Sequence, residues 1–192
     1  MNNYKCLRKN IFSSENLILL PIREKDVMNI RLWRNNQMDI LRQSQLISEI
    51  DQKSYYQKEI FPTFCMKRPH QILFSYLDGQ KCIGYGGITN IDWISKRTEL
   101  SFLLDPVYTI SETTYEYYFS AFIEIILQVS FKYLHLNRVF TETFDRRHHH
   151  ISLLEKSGFK LEGRLKQHVF KNNHYMDSLI HGYLSCYEKI KK

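Results

Sequence analysis

The first half of the chain combines short apolar runs with stretches of helical spacing. Residues 17–22 form an apolar run that predicts an opening strand. Over 27–37 and again over 45–60, apolar side chains recur every three or four positions, which predicts two helices. Residues 71–77 and 81–88 predict two strands joined at Asp78-Gly79, a pair typical of tight hairpins. A further strand over 97–104 ends at Pro106, because proline cannot donate to a ladder.

The second half alternates helix and strand. An apolar stripe over 115–134 predicts a long helix. A strand over 137–144, a helix over 149–156 ended by Gly158, and two strands over 163–170 and 175–184 follow. This order predicts an α+β fold with a mixed, mostly antiparallel central sheet flanked by helices. At 192 residues we expect a single domain over 1–192.

Charge narrows the classes of partner. The formal net charge of +7 is compatible with a nucleic acid, an anionic membrane or a polyanionic small molecule. The basic residues are dispersed, and the densest patches, at 146–150 and at Lys189, Lys191 and Lys192, are short, so we expect no nucleic-acid partner. Since no apolar run is long enough for a membrane span and no cleavable signal opens the chain, we expect a cytoplasmic protein without a membrane partner.

The sequence gives little support for a metal. The four cysteines form no CxxC pair and have no histidine at ligand spacing. His148, His149 and His150 are successive residues at a predicted helix start, so their side chains point in different directions and cannot converge on one ion. We expect no metal site.

Two local sequences are distinctive. Residues 97–106 resemble the central fourth strand, and residues 153–163 the closing helix and turn, of the GNAT superfamily of N-acetyltransferases. Trp33-Arg34-Asn35 and residues 175–178 are similar to the bacterial branch that contains ribosomal-protein alanine and nucleotide-amino-sugar acetyltransferases. The resemblance covers about residues 15 to 187. It implies a sheet splayed between the fourth and fifth strands of that fold, with acetyl-CoA as co-substrate.

The resemblance also implies site residues. Backbone groups of the fourth strand would bind the pantetheine arm, with the N–H of Leu103 or Leu104 as oxyanion donor, and the N-terminus of the long helix would bind the pyrophosphate. The implied cofactor-binding residues on this strand are Phe102, Leu103 and Leu104. Ser111, Thr113 and Thr114 are candidates as capping hydroxyls and phosphate donors, and Arg147, which replaces the asparagine that commonly opens the closing helix, is a candidate to contact a phosphate. Glu99 stands where family members often have a catalytic carboxylate, and we expect it to act as the general base.

Three further residues are candidates for acceptor binding. Arg34 is suited to an anionic acceptor such as a sugar diphosphate. Tyr175 and Asp177 are two positions apart on a predicted strand, so they share one face and are expected to line the acceptor pocket.

The chain departs from the family pattern at two places. The segment 108–114 contains no glycine and carries Glu112, where the family usually has an Arg or Gln and two glycines. Leu154 stands at the position where many members have a tyrosine that protonates the departing thiolate.

The sequence therefore predicts transfer of an acetyl group from acetyl-CoA to a small-molecule amine acceptor, a nucleotide-linked amino sugar of surface-glycan synthesis. A protein N-terminal acetyltransferase and a catalytically inactive GNAT-fold binding module stay open as alternatives. A homodimer is also an open possibility.

Overall fold

Eight strands form one sheet in the computed structural model, which describes residues 3–189. The other residues, with Lys191 and Lys192 among them, lie outside the described part. The strands are β1 (Phe12–Ser14), β2 (Leu17–Pro21), β3 (Ile72–Asp78), β4 (Lys81–Asp92), β5 (Arg97–Leu104), β6 (Arg138–Phe144), β7 (Lys160–Lys171) and β8 (His174–Leu184). Their order is β1-β2-β3-β4-β5-β6-β8-β7. Every neighbouring pair is antiparallel except β5 and β6. The predicted mixed, mostly antiparallel sheet is confirmed.

The helices are α1 (Val27–Asn36), α2 (Glu49–Tyr55), α3 (Glu112–Gln128) and α4 (His148–Lys156). α2 begins later than the apolar pattern predicts because the Ser48 side chain caps it, accepting the N–H of Asp51. α3 likewise begins at Glu112, directly after the cap residue Ser111. Among the described residues, no helix is long and apolar enough to cross a membrane.

The sheet splays between β5 and β6, the strands that correspond to the fourth and fifth of the family fold. Their parallel pairing covers only three positions, from Arg97 opposite Arg138 to Glu99 opposite Phe140. Beyond Glu99, residues 100–104 have no ladder partner on this side. The predicted splay is therefore present, and it leaves an open edge on β5.

Aromatic packing fixes the position of this open strand. Phe122 of α3 is fully buried, and its ring centroid lies 4.6 Å from that of Phe102 on β5. A Cβ atom at Gly86 of β4 would lie 2.7 Å from the Phe122 ring and 2.4 Å from the Ser101 carbonyl oxygen. Glycine at this position lets Phe122 reach the sheet, so α3 lies directly over β5.

Candidate active site

The splay opens into two connected chambers. The inner chamber, about 110 Å³, lies between β5 and β6 and contains Glu99. The outer chamber, about 640 Å³, lies between the N-termini of α3 and α4. Ile40, Arg147 and His150 line both chambers and therefore form their junction. An elongated molecule can reach from the start of α3 to Glu99 only past these residues.

The open edge of β5 presents backbone groups to the cleft. Leu103 pairs with Tyr85 of β4, and the Leu103 carbonyl faces Gly84 on the same strand. Two residues later, Asp105 donates its N–H to the carbonyl of Ile83, which is also on β4. Because backbone groups alternate along a strand, those of Phe102 and Leu104 face the open edge. The Leu104 carbonyl accepts from Gln37 Nε2 at 2.8 Å.

This alternation corrects one of the predicted cofactor contacts. The N–H of Leu103 is directed to β4 and cannot serve as an oxyanion donor in the cleft. The N–H groups of Phe102 and Leu104 have no ladder partner on β6 and stay candidates for pairing with an extended ligand.

Glu99 lies at the base of the splay and is only 4% exposed. One carboxylate oxygen accepts from Asn90 Nδ2 at 2.7 Å, and the other is paired with the guanidinium of Arg42. Arg42 also contacts Glu142 of β6, with 3.3 Å between Nη1 and Oε2. One cation thus lies between two carboxylates, one from each side of the splay. Such a position suits an ammonium group as well as a guanidinium.

The α1–α2 loop (residues 37–48), which carries Arg42, is fastened over the inner chamber. Lys171 of β7 donates through Nζ to the carbonyl oxygens of Leu41 at 2.6 Å and Gln43 at 2.9 Å, and it also contacts that of Met38. Arg146 contacts the carbonyl of Asp39. The β7–β8 hairpin and the segment before α4 therefore hold the loop in place.

The N-terminus of α3 faces the outer chamber. Ser111 accepts from the N–H of Thr114 at 3.3 Å, and its hydroxyl is 2.8 Å from that of Thr113. These hydroxyls are exposed and are used within the helix cap, whereas Glu112 itself lines the chamber. The Glu112 carboxylate lies 3.9 Å from His149 Nδ1. A helix of 17 residues with free N–H groups and a nearby arginine suits an anion here.

Arg147 precedes α4 at the junction and contacts an aromatic pair. Its Nη2 lies 3.4 Å from the hydroxyl of Tyr115, which is 2.7 Å from His150 Nδ1. Burial raises the pKa of Tyr115 above its usual value and lowers the pKa of His150 well below its usual value. The tyrosine is therefore protonated and the histidine neutral near pH 7.

Arg34 lies in a third cavity, next to the inner chamber. It lines this cavity of about 600 Å³ together with Arg42, Asp51 and residues of the α1–α2 loop. Its guanidinium donates to the Tyr85 hydroxyl at 2.7 Å and to Gln43 Oε1 at 3.1 Å. Among the side chains of residues 3–187 no carboxylate lies at ion-pair distance from it, so its charge is available to an anionic ligand.

Tyr175 and Asp177 lie away from the three cavities described above. Tyr175 is 62% exposed at the end of the hairpin, where its ring contacts Phe170. Asp177 accepts from the N–H of Gln167 at 2.8 Å and from Arg164 at 2.9 Å, and these contacts lower its pKa to about 2. Its carboxylate fastens β7 to β8. The structure does not bring these two residues to Glu99, contrary to the shared acceptor pocket that we expected.

Sequence reasoning missed Arg42, Glu142, Tyr115 and His150. The register of β5 and β6 places Glu142 at the splay, two residues after the partner of Glu99, but the sequence alone does not give this register. In the part of the chain that the structure describes, no group of three or more His, Cys, Asp or Glu side chains is arranged to hold a metal ion.

Comparisons with known proteins bear on this arrangement. A family model described as an acetyltransferase (GNAT) domain matches residues 19–180. The structure of spermidine N-acetyltransferase from Vibrio cholerae in complex with CoA and spermine has a TM-score of 0.79 and 22% identity, covering 90% of this chain and 98% of that one.

A dodecameric structure of spermidine N-acetyltransferase from the same organism has a TM-score of 0.78 and 20% identity, covering 93% and 99% of the two chains. A search of curated protein sequences gave no significant match. Identities at this level show the fold, whereas the family match covers most of the chain. Together with the splayed sheet and its open strand, the family match shows that the chain belongs to the GNAT acetyltransferase family. The protein is an acyl-CoA-dependent N-acetyltransferase with acetyl-CoA as co-substrate.

Proposed function

We propose that the protein transfers the acetyl group of acetyl-CoA to the primary amine of a nucleotide-linked amino sugar, with Glu99 as the general base. The observation that carries this proposal is the buried Glu99 carboxylate at the base of the splay, next to the open edge of β5. The proposed general base therefore lies beside the backbone groups that are proposed to bind the co-substrate.

The residues present fit the co-substrate. The unpaired groups of Phe102 and Leu104 suit an extended amide-containing chain, and the start of α3 with Arg147 suits phosphate groups. When bound, acetyl-CoA supplies an activated acetyl thioester. Glu99 accepts the proton of the acceptor ammonium, directly or through water. The N–H of Phe102, which faces the open edge of β5 and lies in the inner chamber, then stabilises negative charge on the acetyl oxygen. Leu104 lies too far along the strand from Glu99 for this role and is left to the pantetheine arm.

The acceptor's amine is proposed to bind between Glu99 and Glu142, in competition with Arg42. Arg42 belongs to a loop and its side chain is 56% exposed, so it can leave this position. Arg42 lines the adjacent cavity but is paired with Glu99 and Glu142, whereas Arg34 lines the same cavity without an ion-pair partner among the described side chains, so Arg34 supplies the available positive charge there. That charge favours an acceptor with an anionic remainder, such as a diphosphate, over one whose remainder is cationic.

An acceptor comparison tests this proposal. We expect a UDP-linked amino sugar to have a kcat/KM at least about tenfold above that of the free amino sugar, because a charge-assisted contact to phosphate contributes roughly 1.5–3 kcal/mol. Arg34→Met should remove most of this difference. Arg97→Met, which removes an exposed guanidinium paired with Asp92, should preserve it.

Other outcomes identify the competing functions. The names of the structural neighbours make spermidine the second candidate acceptor, and a higher kcat/KM for spermidine than for any sugar would overturn the sugar proposal. A preference for a peptide with a free N-terminal alanine would indicate a protein N-terminal acetyltransferase. Binding of acetyl-CoA without turnover of any amine would indicate an inactive binding module. The homodimer that the sequence leaves open as a possibility is likewise untested by the structure of a single chain.

Glu112→Gln should tighten CoA binding. The substitution removes a negative charge from the chamber proposed for the pyrophosphate and keeps the side chain's size. Because Glu112 is exposed, we expect less than about a tenfold change in Kd, larger at low salt than at high salt. Titration calorimetry with CoA at two ionic strengths measures it.

Glu116→Gln is the matched control, since Glu116 lies one turn along α3 and pairs with Lys156 outside the chamber. Weaker binding of CoA by the Glu112 variant would place the phosphates elsewhere.

A further inference from the structure

The Tyr115 hydroxyl is held in a fixed position on the outer-chamber side of the junction, where Tyr115 is part of the lining. It contacts His150 Nδ1 at 2.7 Å and Arg147 Nη2 at 3.4 Å. The ring of Tyr115 stacks on Phe119, with centroids 5.7 Å apart, and the His150 ring packs on Phe119 at 4.6 Å. Two hydrogen bonds and aromatic packing thus orient a hydroxyl that the general-base mechanism does not use.

We propose that Tyr115 is the proton donor to the departing thiolate, and that Arg147 and His150 are its positioning residues. The inference rests on the proposed function, since it assigns a further group to the same reaction. Leu154, which stands at the position of the family's usual acid, is fully buried in a hydrophobic cluster and has no proton to give.

The order of atoms along the cleft supports this assignment. The acetyl carbon must lie near Glu99 in the inner chamber, because the deprotonated amine attacks there. The phosphate groups fit the outer chamber, at the start of α3. The sulfur is bonded to the acetyl carbon on the side of the phosphates, so it comes to the junction, which Arg147 and His150 line. Tyr115 is the hydroxyl that these two residues contact.

The surroundings of Tyr115 suit proton donation. Burial raises its pKa and keeps the hydroxyl protonated near pH 7, which by itself makes it a weaker acid, whereas the charge and hydrogen bond of Arg147 act to lower its pKa and so favour donation. A phenol and an alkyl thiol have ordinary pKa values within about two units of each other, so the proton can pass to the sulfur. The Arg147 guanidinium stabilises the phenolate that results.

The step balances without a further reactant. The C–S bond breaks and its electron pair goes to sulfur, which takes the Tyr115 proton and leaves as a thiol. His150 is assigned the tautomer with the proton on Nδ1, where it donates to Tyr115. That proton then passes to the phenolate while Nε2 takes up a proton from cleft water. The N–C bond forms when the deprotonated amine attacks, and the acceptor nitrogen loses two protons in all. The first passes to Glu99 before the attack and is released to solvent, and the second passes to cleft water as the intermediate collapses to the amide. Two protons are thus released and one is taken up by sulfur through Tyr115.

A binding cycle tests the contact without turnover. Titration calorimetry compares CoA with desulfo-CoA, in which hydrogen replaces the thiol, for the wild type and for Tyr115→Phe. We expect the wild type to prefer CoA by about fivefold, the size of one hydrogen bond, and the variant to show no preference. Tyr118→Phe is the control, because Tyr118 lies on the same helix and its hydroxyl donates to Asp78 outside both chambers.

Kinetics test the role in catalysis. With acetyl-CoA, Tyr115→Phe should lower kcat by roughly 100-fold, as expected for the loss of a general acid. With acetyl 4-nitrothiophenol, whose thiolate leaves without protonation, the rates of the wild type and the variant should agree within about threefold.

Two results would overturn the proposal: equal wild-type affinity for CoA and desulfo-CoA, or a kcat of Tyr115→Phe near that of the wild type. Should the wild type acetylate no amine, the proposed function fails, while the binding cycle still decides whether Tyr115 contacts the sulfur.

Discussion

Glu99→Gln should lower kcat by roughly 100-fold or more with a true acceptor, because the amide cannot accept the proton of the ammonium group. The substitution keeps the size of the side chain, and its amide oxygen can still accept from Asn90. The fold and the affinity for acetyl-CoA should therefore change little. Steady-state kinetics between pH 6 and pH 9, together with a melting curve and a CoA titration, measure all three properties.

The matched control for this variant is Glu124→Gln, which removes an exposed carboxylate on α3 far from the splay. It should leave kcat unchanged. A loss for Glu99→Gln confined to KM would mean that Glu99 only binds the acceptor. Near-full kcat across the pH range would show that another group is the base and that the proposed site is wrong.

Phe122→Ala should lower the free energy of unfolding by about 3–5 kcal/mol. Phe122 is fully buried between α3 and the sheet, where it contacts Phe102 and Tyr76, so its removal leaves a cavity beside the open strand. Urea denaturation followed by circular dichroism measures the change. Because Phe102 rests on this ring, the variant should also bind acetyl-CoA more weakly.

Phe170→Ala provides the comparison, since Phe170 is 61% exposed at the end of the β7–β8 hairpin. Its removal should cost less than about 1 kcal/mol. Equal effects of the two substitutions would mean that the packing of α3 on β5 does not determine the stability of the splay.

The hydrophobic pattern predicted most of the fold because each element's periodicity is local. Apolar runs separated by Asp78-Gly79 predicted the β3–β4 hairpin, and Gly79 has the positive φ of 56° that such a turn needs. β1 was missed because it is only three residues long and its pattern is too short to detect. The start of α3 was missed because a cap residue determines it, and the apolar stripe begins one turn later.

The site was less predictable because its contacts join distant parts of the chain. Arg42 and Glu99 are 57 positions apart, and Tyr115 and His150 are 35 apart. Glu99 was singled out by its resemblance to a family position, but no local pattern indicates its cation partner. For Tyr175 and Asp177, alternation relates their two side chains to each other but does not specify the other residues that they contact.

Titration calorimetry of acetyl-CoA into the wild-type protein decides whether the splay binds the co-substrate although the start of α3 has no glycine. We predict saturable binding of one acetyl-CoA per chain, accompanied by a rise in Tm, since a ligand that binds only the folded protein stabilises it. Absence of both heat and thermal shift at millimolar acetyl-CoA would contradict the account.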